Sequence, residues 1–136
     1  MKFNFDKIKD IKSPADIKRM SVEELQQVAD QMRQAVLYRT SLYSGHVGPN
    51  LGDVEAIIAL HYVFDAPVDK LVLDMSHQDF PHKMITGRVN GFINEADFDK
   101  VGEYTEPSES PEYDFFTLAI PHRPSASAPV WQRRAT

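Results

Sequence analysis

The stretch from Leu71 to Arg88, LVLDMSHQDFPHKMITGR, constrains the fold more than any other part of the chain. It opens with an apolar run, Leu71-Val72-Leu73, broken only by Asp74 before Met75. Continuous apolar runs belong to strands buried on both faces of a parallel sheet. Polar residues arrive abruptly at Ser76, His77 and Gln78, where the strand should end. In open α/β sheets ligands bind outside the carboxyl ends of strands, which puts these three residues where chemistry is usually done. Pro81 then suits the first turn of a helix, and Gly87 suits its left-handed exit.

The rest of the chain supplies helices around this unit. Residues 1–12 alternate apolar and charged side chains without a helix signal and read as an arm lying on the surface. Ser13-Pro14-Ala15-Asp16 has a hydroxyl cap, a proline for the first turn and an acid for the positive helix end. The signal restarts at Ser21-Val22-Glu23-Glu24, a capping box. From there Leu25, Val28, Met32, Ala35, Val36 and Tyr43 recur at helical spacing, predicting an amphipathic helix of about twenty residues. The loop Gly45-His46-Val47-Gly48-Pro49-Asn50-Leu51-Gly52 interrupts it, and its glycines permit positive φ and close approach of a ligand. A second helix is expected over residues 53–64, with Val54, Ile57, Ile58 and either His61 or Tyr62 inward. Residues 94–102 predict one short helix. The acidic, proline- and serine-bearing EYTEPSESPE over 103–112 reads as a solvated loop, and residues 113–118 as a second strand. This order of elements is α/β.

Residues 119–136 change character, with three prolines, three arginines, no acid and no periodicity, and by composition form a disordered tail. The chain of 136 residues suits one domain. Its net charge of −5 argues against a nucleic-acid surface. It has no cysteine, which excludes disulfides and thiol chemistry. The N-terminus lacks the apolar core of a signal peptide and no run approaches a membrane span, so a cytoplasmic protein is expected.

Four histidines deserve weighing. His77, at a strand's carboxyl end, can donate to a diphosphate or substrate oxygen and transfer protons near neutrality; the alternative is a strand cap bonded to backbone. His46 is exposed by its glycine loop, or else is a turn histidine packed on the next helix. His82 and Lys83 suit a solvated helix face better than a phosphate contact. His61 in an apolar helix reads as a core histidine. No compact zinc spacing connects the four, so no metal site is assigned.

Two blocks carry a resemblance. DMSHQDFPHKMITGR and SGHVGPNLGDVEAIIALHYVFDAP are similar to segments of 1-deoxy-D-xylulose-5-phosphate synthase, a thiamine-diphosphate enzyme of the transketolase type. The likeness runs from about Ser13 to about Leu118, the beginning of that family's first domain. It implies an α/β fold: the N-terminal portion of a thiamine-diphosphate-binding, transketolase-like doubly wound domain, incomplete and helix-rich. It also implies that His46 matches the histidine facing the reacting carbon of the cofactor, and that His77 matches the histidine contacting the cofactor. Ser44 and Ser76 stand where the family has glycines. The intact family is implied to condense pyruvate with glyceraldehyde 3-phosphate, with loss of carbon dioxide, as a homodimer using thiamine diphosphate and Mg. The family's Gly-Asp-Gly metal motif is not found in this sequence, and its activating glutamate belongs to the second domain. The chain alone is therefore expected neither to bind the cofactor nor to be active, and to self-associate through an open sheet edge. Two other readings stay open: a non-catalytic partner of a full-length synthase, and a functionless pseudogene product.

The family carries a Gly-His-(Thr/Ser)-Ser-Thr-Ser-x-Ser-Leu motif directly after a segment like YDFFTL, where the odd tail begins here. A displaced frame takes the wobble base of one codon and the first two bases of the next. Starting in Leu118, allowed codons then spell Gly-His-Thr-Ser-Ser-Thr-Val-Ser-Leu-Gly-Thr-Gly-Leu-Ala-Lys-Ala-Arg-Asp. The expected organisation is thus a partial cofactor-binding domain over 1–118 and an out-of-frame tail over 119–136.

Overall fold

In the computed structural model, which describes residues 2–73 and 79–117, side chains set where helices begin. The Asp16 carboxylate accepts the backbone N–H groups of Lys12 (2.8 Å) and Ser13 (3.0 Å), starting α1 (Pro14–Ile17). At Ser21 the expected capping box is formed: its hydroxyl accepts from Glu24 N (3.2 Å) and the Glu24 carboxylate accepts from Ser21 N (2.9 Å). It starts α2 (Val22–Leu42), whose buried stripe includes Val28, Met32, Ala35 and Val36 as the periodicity requires; Tyr43, at its end, is 53% exposed. The glycine loop leads into α3 (Gly48–Gly52) and α4 (Val54–Val63), which turns Val54, Ile57, Ile58 and His61 inward and leaves Tyr62 out. Then come α5 (Asp79–Lys83), a kinked turn (Met84–Arg88) in which Thr86 and Gly87 are non-helical, α6 (Asn90–Ile93) and a 3-10 helix (Glu95–Lys100).

The long helix α2 is the spine, with α4 and α6 packed on it and α1 packed on α4. Phe80, Met84, Ile85 and Phe92 fill the space between them and are fully buried. Each large apolar side chain so removed from water contributes about 1.5–3 kcal/mol. Gly87 takes the left-handed conformation expected of it, at φ +92°, and a Cβ there would lie 2.5 Å from the Lys12 carbonyl oxygen.

The N-terminal residues are not a surface arm. Ile8 and Ile11 are buried in the core, and Lys7 N and Asn4 N donate to Gln31 (2.7 Å) and Gln34 (2.9 Å) on α2. The alternation of apolar and charged residues there marks a turn with one apolar face, and that face closes the core beside α2.

The two expected strands differ from the structure as well. Among the described residues there is no strand: residues 71–73 and 113–117 are irregular, while 74, 75 and 118 lie outside the described residues. The segments do lie beside each other, with Leu71, Leu73, Tyr113 and Phe115 lining one shallow pocket. A ladder needs a neighbour for its N–H and C=O groups, and without one the apolar run gains nothing from extended pairing. Val72 (61% exposed) and Phe116 (58% exposed) stay open to solvent on this flank.

Candidate functional site

The glycine loop between α2 and α3 is held against α5 by contacts that only these residues allow. Gly45 has φ +144°, and a Cβ there would lie 2.8 Å from two atoms of the Phe80 ring. Both the conformation and the approach require glycine. One step on, the His46 carbonyl accepts from Asn50 Nδ2 (2.7 Å), and Asn50 Oδ1 accepts from Phe80 N (2.9 Å). Asn50 is buried, and so bonds the His46 loop to the backbone just after His77. His77 itself lies outside the described residues. The two sequence blocks therefore meet at Asn50.

His46 is half exposed at this junction. Its Nδ1 lies 3.0 Å from Glu103 Oε2, while Ser44 Oγ donates to Glu103 Oε1 (3.1 Å). The Tyr104 ring sits 6.5 Å away, centroid to centroid. Behind the loop, buried Arg39 donates to the carbonyls of Phe98 (3.2 Å) and Val101 and lies over the rings of Phe80 (5.2 Å) and Phe92 (4.9 Å). Burial lowers the Arg39 pKa, and the aromatic faces give the cation back part of what water supplied. Arg39 thus fixes the segment that leads directly to Glu103.

A second polar cluster is buried behind α4 and α5. His61 Nε2 lies 2.9 Å from His82 Nδ1, with the rings stacked at 5.0 Å, and His82 Nε2 lies 3.1 Å from Asp114 Oδ1. Arg88 donates to both Asp114 oxygens (2.6 and 2.9 Å), and Glu106 N donates to Oδ2 (2.8 Å). An ionised Asp114 can only accept, so His82 carries its proton on Nε2 and accepts at Nδ1 from the Nε2–H of His61. His61 Nδ1 is then a buried acceptor with no hydrogen-bond partner among the described residues. Burial first, then the neighbouring His82 and Lys18, depresses the His61 pKa to about 3. Burial also lowers His82, with the Asp114 hydrogen bond opposing it. Burial alone would raise Asp114, but the hydrogen bonds from His82 and Arg88 hold it well below the usual carboxylate range.

His82 and Lys83 do not form a solvated face; they are 1% and 0% exposed. Lys83 Nζ donates to Glu109 (2.8 Å) and the Gly102 carbonyl (3.1 Å), so it is spent inside the protein. His61 is the core histidine its apolar helix implies. The acidic stretch is not simply solvated, since Thr105 is buried, Glu109 pairs with Lys83 and Arg88, and Glu103 meets His46. Asp114 had a signal that could have been used, being one charge inside the apolar run YDFF. Glu103 had none. Among the described residues no three His, Asp or Glu side chains converge as a metal-binding group, and no helix is long and apolar enough to cross a membrane.

What this arrangement can do chemically differs between the clusters. The buried one is closed to substrate and stabilises the join of α4, α5 and residues 103–114. The exposed one presents an imidazole with a carboxylate behind it, the parts of a proton-transfer site.

The family profile described as 1-deoxy-D-xylulose-5-phosphate synthase matches residues 8–128. The 1-deoxy-D-xylulose-5-phosphate synthase of Burkholderia pseudomallei (strain 668) is 45% identical over 115 residues, covering 85% of this chain and 18% of that protein. That of Dictyoglomus turgidum is 43% identical over 108 residues, covering 79% and 17%, and that of Burkholderia orbicola is 44% identical over 115 residues, covering 85% and 18%. This chain thus spans less than a fifth of the length of these curated relatives. With the match running through the His46 loop, Asn50 and the helices that hold them, the chain belongs to the 1-deoxy-D-xylulose-5-phosphate synthase family.

Proposed function

We propose that this chain carries the first part of a synthase-type site for thiamine diphosphate, with His46 moving protons at the reacting carbon and His77 contacting the cofactor. The observation that carries the reading is the Asn50 bridge, which joins the His46 loop to Phe80 N, three residues after His77. A doubly wound domain would form around these helices once further strands pair with residues 71–75 and 113–118. When bound, thiamine diphosphate would supply nucleophilic chemistry at its reacting carbon. This chain's part is to hold an imidazole there and to take or return a proton.

The metal-diphosphate end of the cofactor does not fit the described residues, which gather no metal-binding group. Lys83, the cation nearest in sequence to His77 on α5, is buried and paired with Glu109. The remaining ligands, the acceptor of pyruvate and glyceraldehyde 3-phosphate, and a homodimer partner would come from additional chain of the kind the longer relatives have. Neither a non-catalytic partner role nor a functionless product gains support from the family match. Calorimetry tests the reading. Residues 1–117 grafted into the Dictyoglomus turgidum synthase in place of the matching segment should restore magnesium-dependent binding of thiamine diphosphate, and the chain alone should bind it weakly or not at all. A folded graft that fails to bind would overturn the assignment.

A further inference from the structure

The geometry points to Glu103 as a positioning residue that selects the tautomer of His46. It rests on the proton-transfer role proposed for His46, and it brings in a residue, Glu103, that lies outside both sequence blocks that carry the family likeness. A carboxylate has only acceptors, so the 3.0 Å contact between Glu103 Oε2 and His46 Nδ1 requires the proton on Nδ1. The lone pair of the neutral ring is then on Nε2, the nitrogen turned away from Glu103. That nitrogen takes the proton in the reaction, and the resulting imidazolium stays paired with Glu103.

The second carboxylate oxygen makes the device a clamp. Glu103 Oε1 accepts from Ser44 Oγ, so one carboxylate grips both residues flanking Gly45. Gly45 cannot shift toward α5, because the Phe80 ring already fills the space of a Cβ. Ser44 stands where the resemblance has a glycine, and a glycine has no hydroxyl to give. Glu103 is itself placed by Arg39, which holds the carbonyls of Phe98 and Val101, and by Gly102 N, which donates to Glu109 Oε1 (2.7 Å). Its side chain is 27% exposed, so water competes little for the carboxylate. Ring orientation and tautomer are thus set by a residue 57 positions away in sequence.

The test is the two-bond proton–nitrogen spectrum of the histidine rings in the nitrogen-15-labelled chain, with His46 assigned through His46→Gln. Wild-type His46 should show the Nδ1–H pattern in its neutral form. Glu103→Ala should abolish the Nδ1–H preference, Ser44→Gly should weaken it, and Glu103→Gln, which keeps an acceptor oxygen, should retain it. A wild-type His46 protonated on Nε2, or a pattern indifferent to Glu103→Ala in a chain whose amide spectrum is otherwise unchanged, would overturn the inference. Should Glu103→Ala not fold, the wild-type pattern decides alone. The spectrum needs no cofactor, so its outcome is separate from that of the grafted synthase.

Discussion

Lowering the pH from 7 to 4 should cost this protein about 3 kcal/mol of stability through His61 alone. In the unfolded chain His61 titrates near its ordinary value of 6.5, whereas in the fold burial and His82 hold it neutral down to about 3. Between those values the unfolded state binds more protons, so the contribution is complete above pH 6.5 and is lost as the pH falls. The slope approaches about 1.4 kcal/mol per pH unit. His82 is shifted in the same direction and steepens the loss. Asp114, depressed in the fold, adds its own loss only below its unfolded value of about 3.8, outside this window. Against a total stability of about 5–15 kcal/mol, an effect of this size is readily measured. Urea unfolding followed by circular dichroism at pH 7, 5.5 and 4.5 would read it, with His61→Phe as control. The variant removes the titrating group, so its curve should be distinctly flatter. A wild-type stability unchanged from pH 7 to 4.5 would refute the buried, neutral His61–His82 pair.

Asp114→Ala should destabilise by about 3–5 kcal/mol, because it leaves Arg88 and His82 facing a void, while Asp114→Asn should cost less; chemical unfolding separates them. Deleting residues 2–11 removes Ile8 and Ile11 from the core and should lose about 3–6 kcal/mol, seen as a large fall in melting temperature. The coding DNA past codon 118 should continue, in a displaced frame, into Gly-His-Thr-Ser-Ser-Thr and a downstream Gly-Asp-Gly; stops or unrelated sequence there would show the tail to be in frame.

Helix starts were the most legible part of the sequence because they are local: Ser21 and Glu24 lie three residues apart and each satisfies the other's orphan backbone group. The inward face of α2 followed for the same reason, from spacing alone. What escaped was long-range. Whether Lys83 faces water or Glu109 depends on where a loop 26 residues later returns. The same holds for Glu103 and Asp114, whose partners lie on other elements. Residues 71–73 show the opposite case: an apolar run predicts burial, but a strand also needs a partner that local sequence does not supply. The loop's need for glycine was readable, and Gly45 shows it in both its φ and its close approach to Phe80. The charge behind His46 was not readable.

The role of His46 is decided by the rate at which the grafted Dictyoglomus turgidum synthase forms 1-deoxy-D-xylulose 5-phosphate, with and without His46→Ala. A proton-transferring histidine is worth about 10²–10⁴-fold, so the substitution should cost at least two orders of magnitude at saturating cofactor with the fold intact. A His46→Ala graft that turns over as fast as its parent would contradict the assignment of this loop to the chemistry.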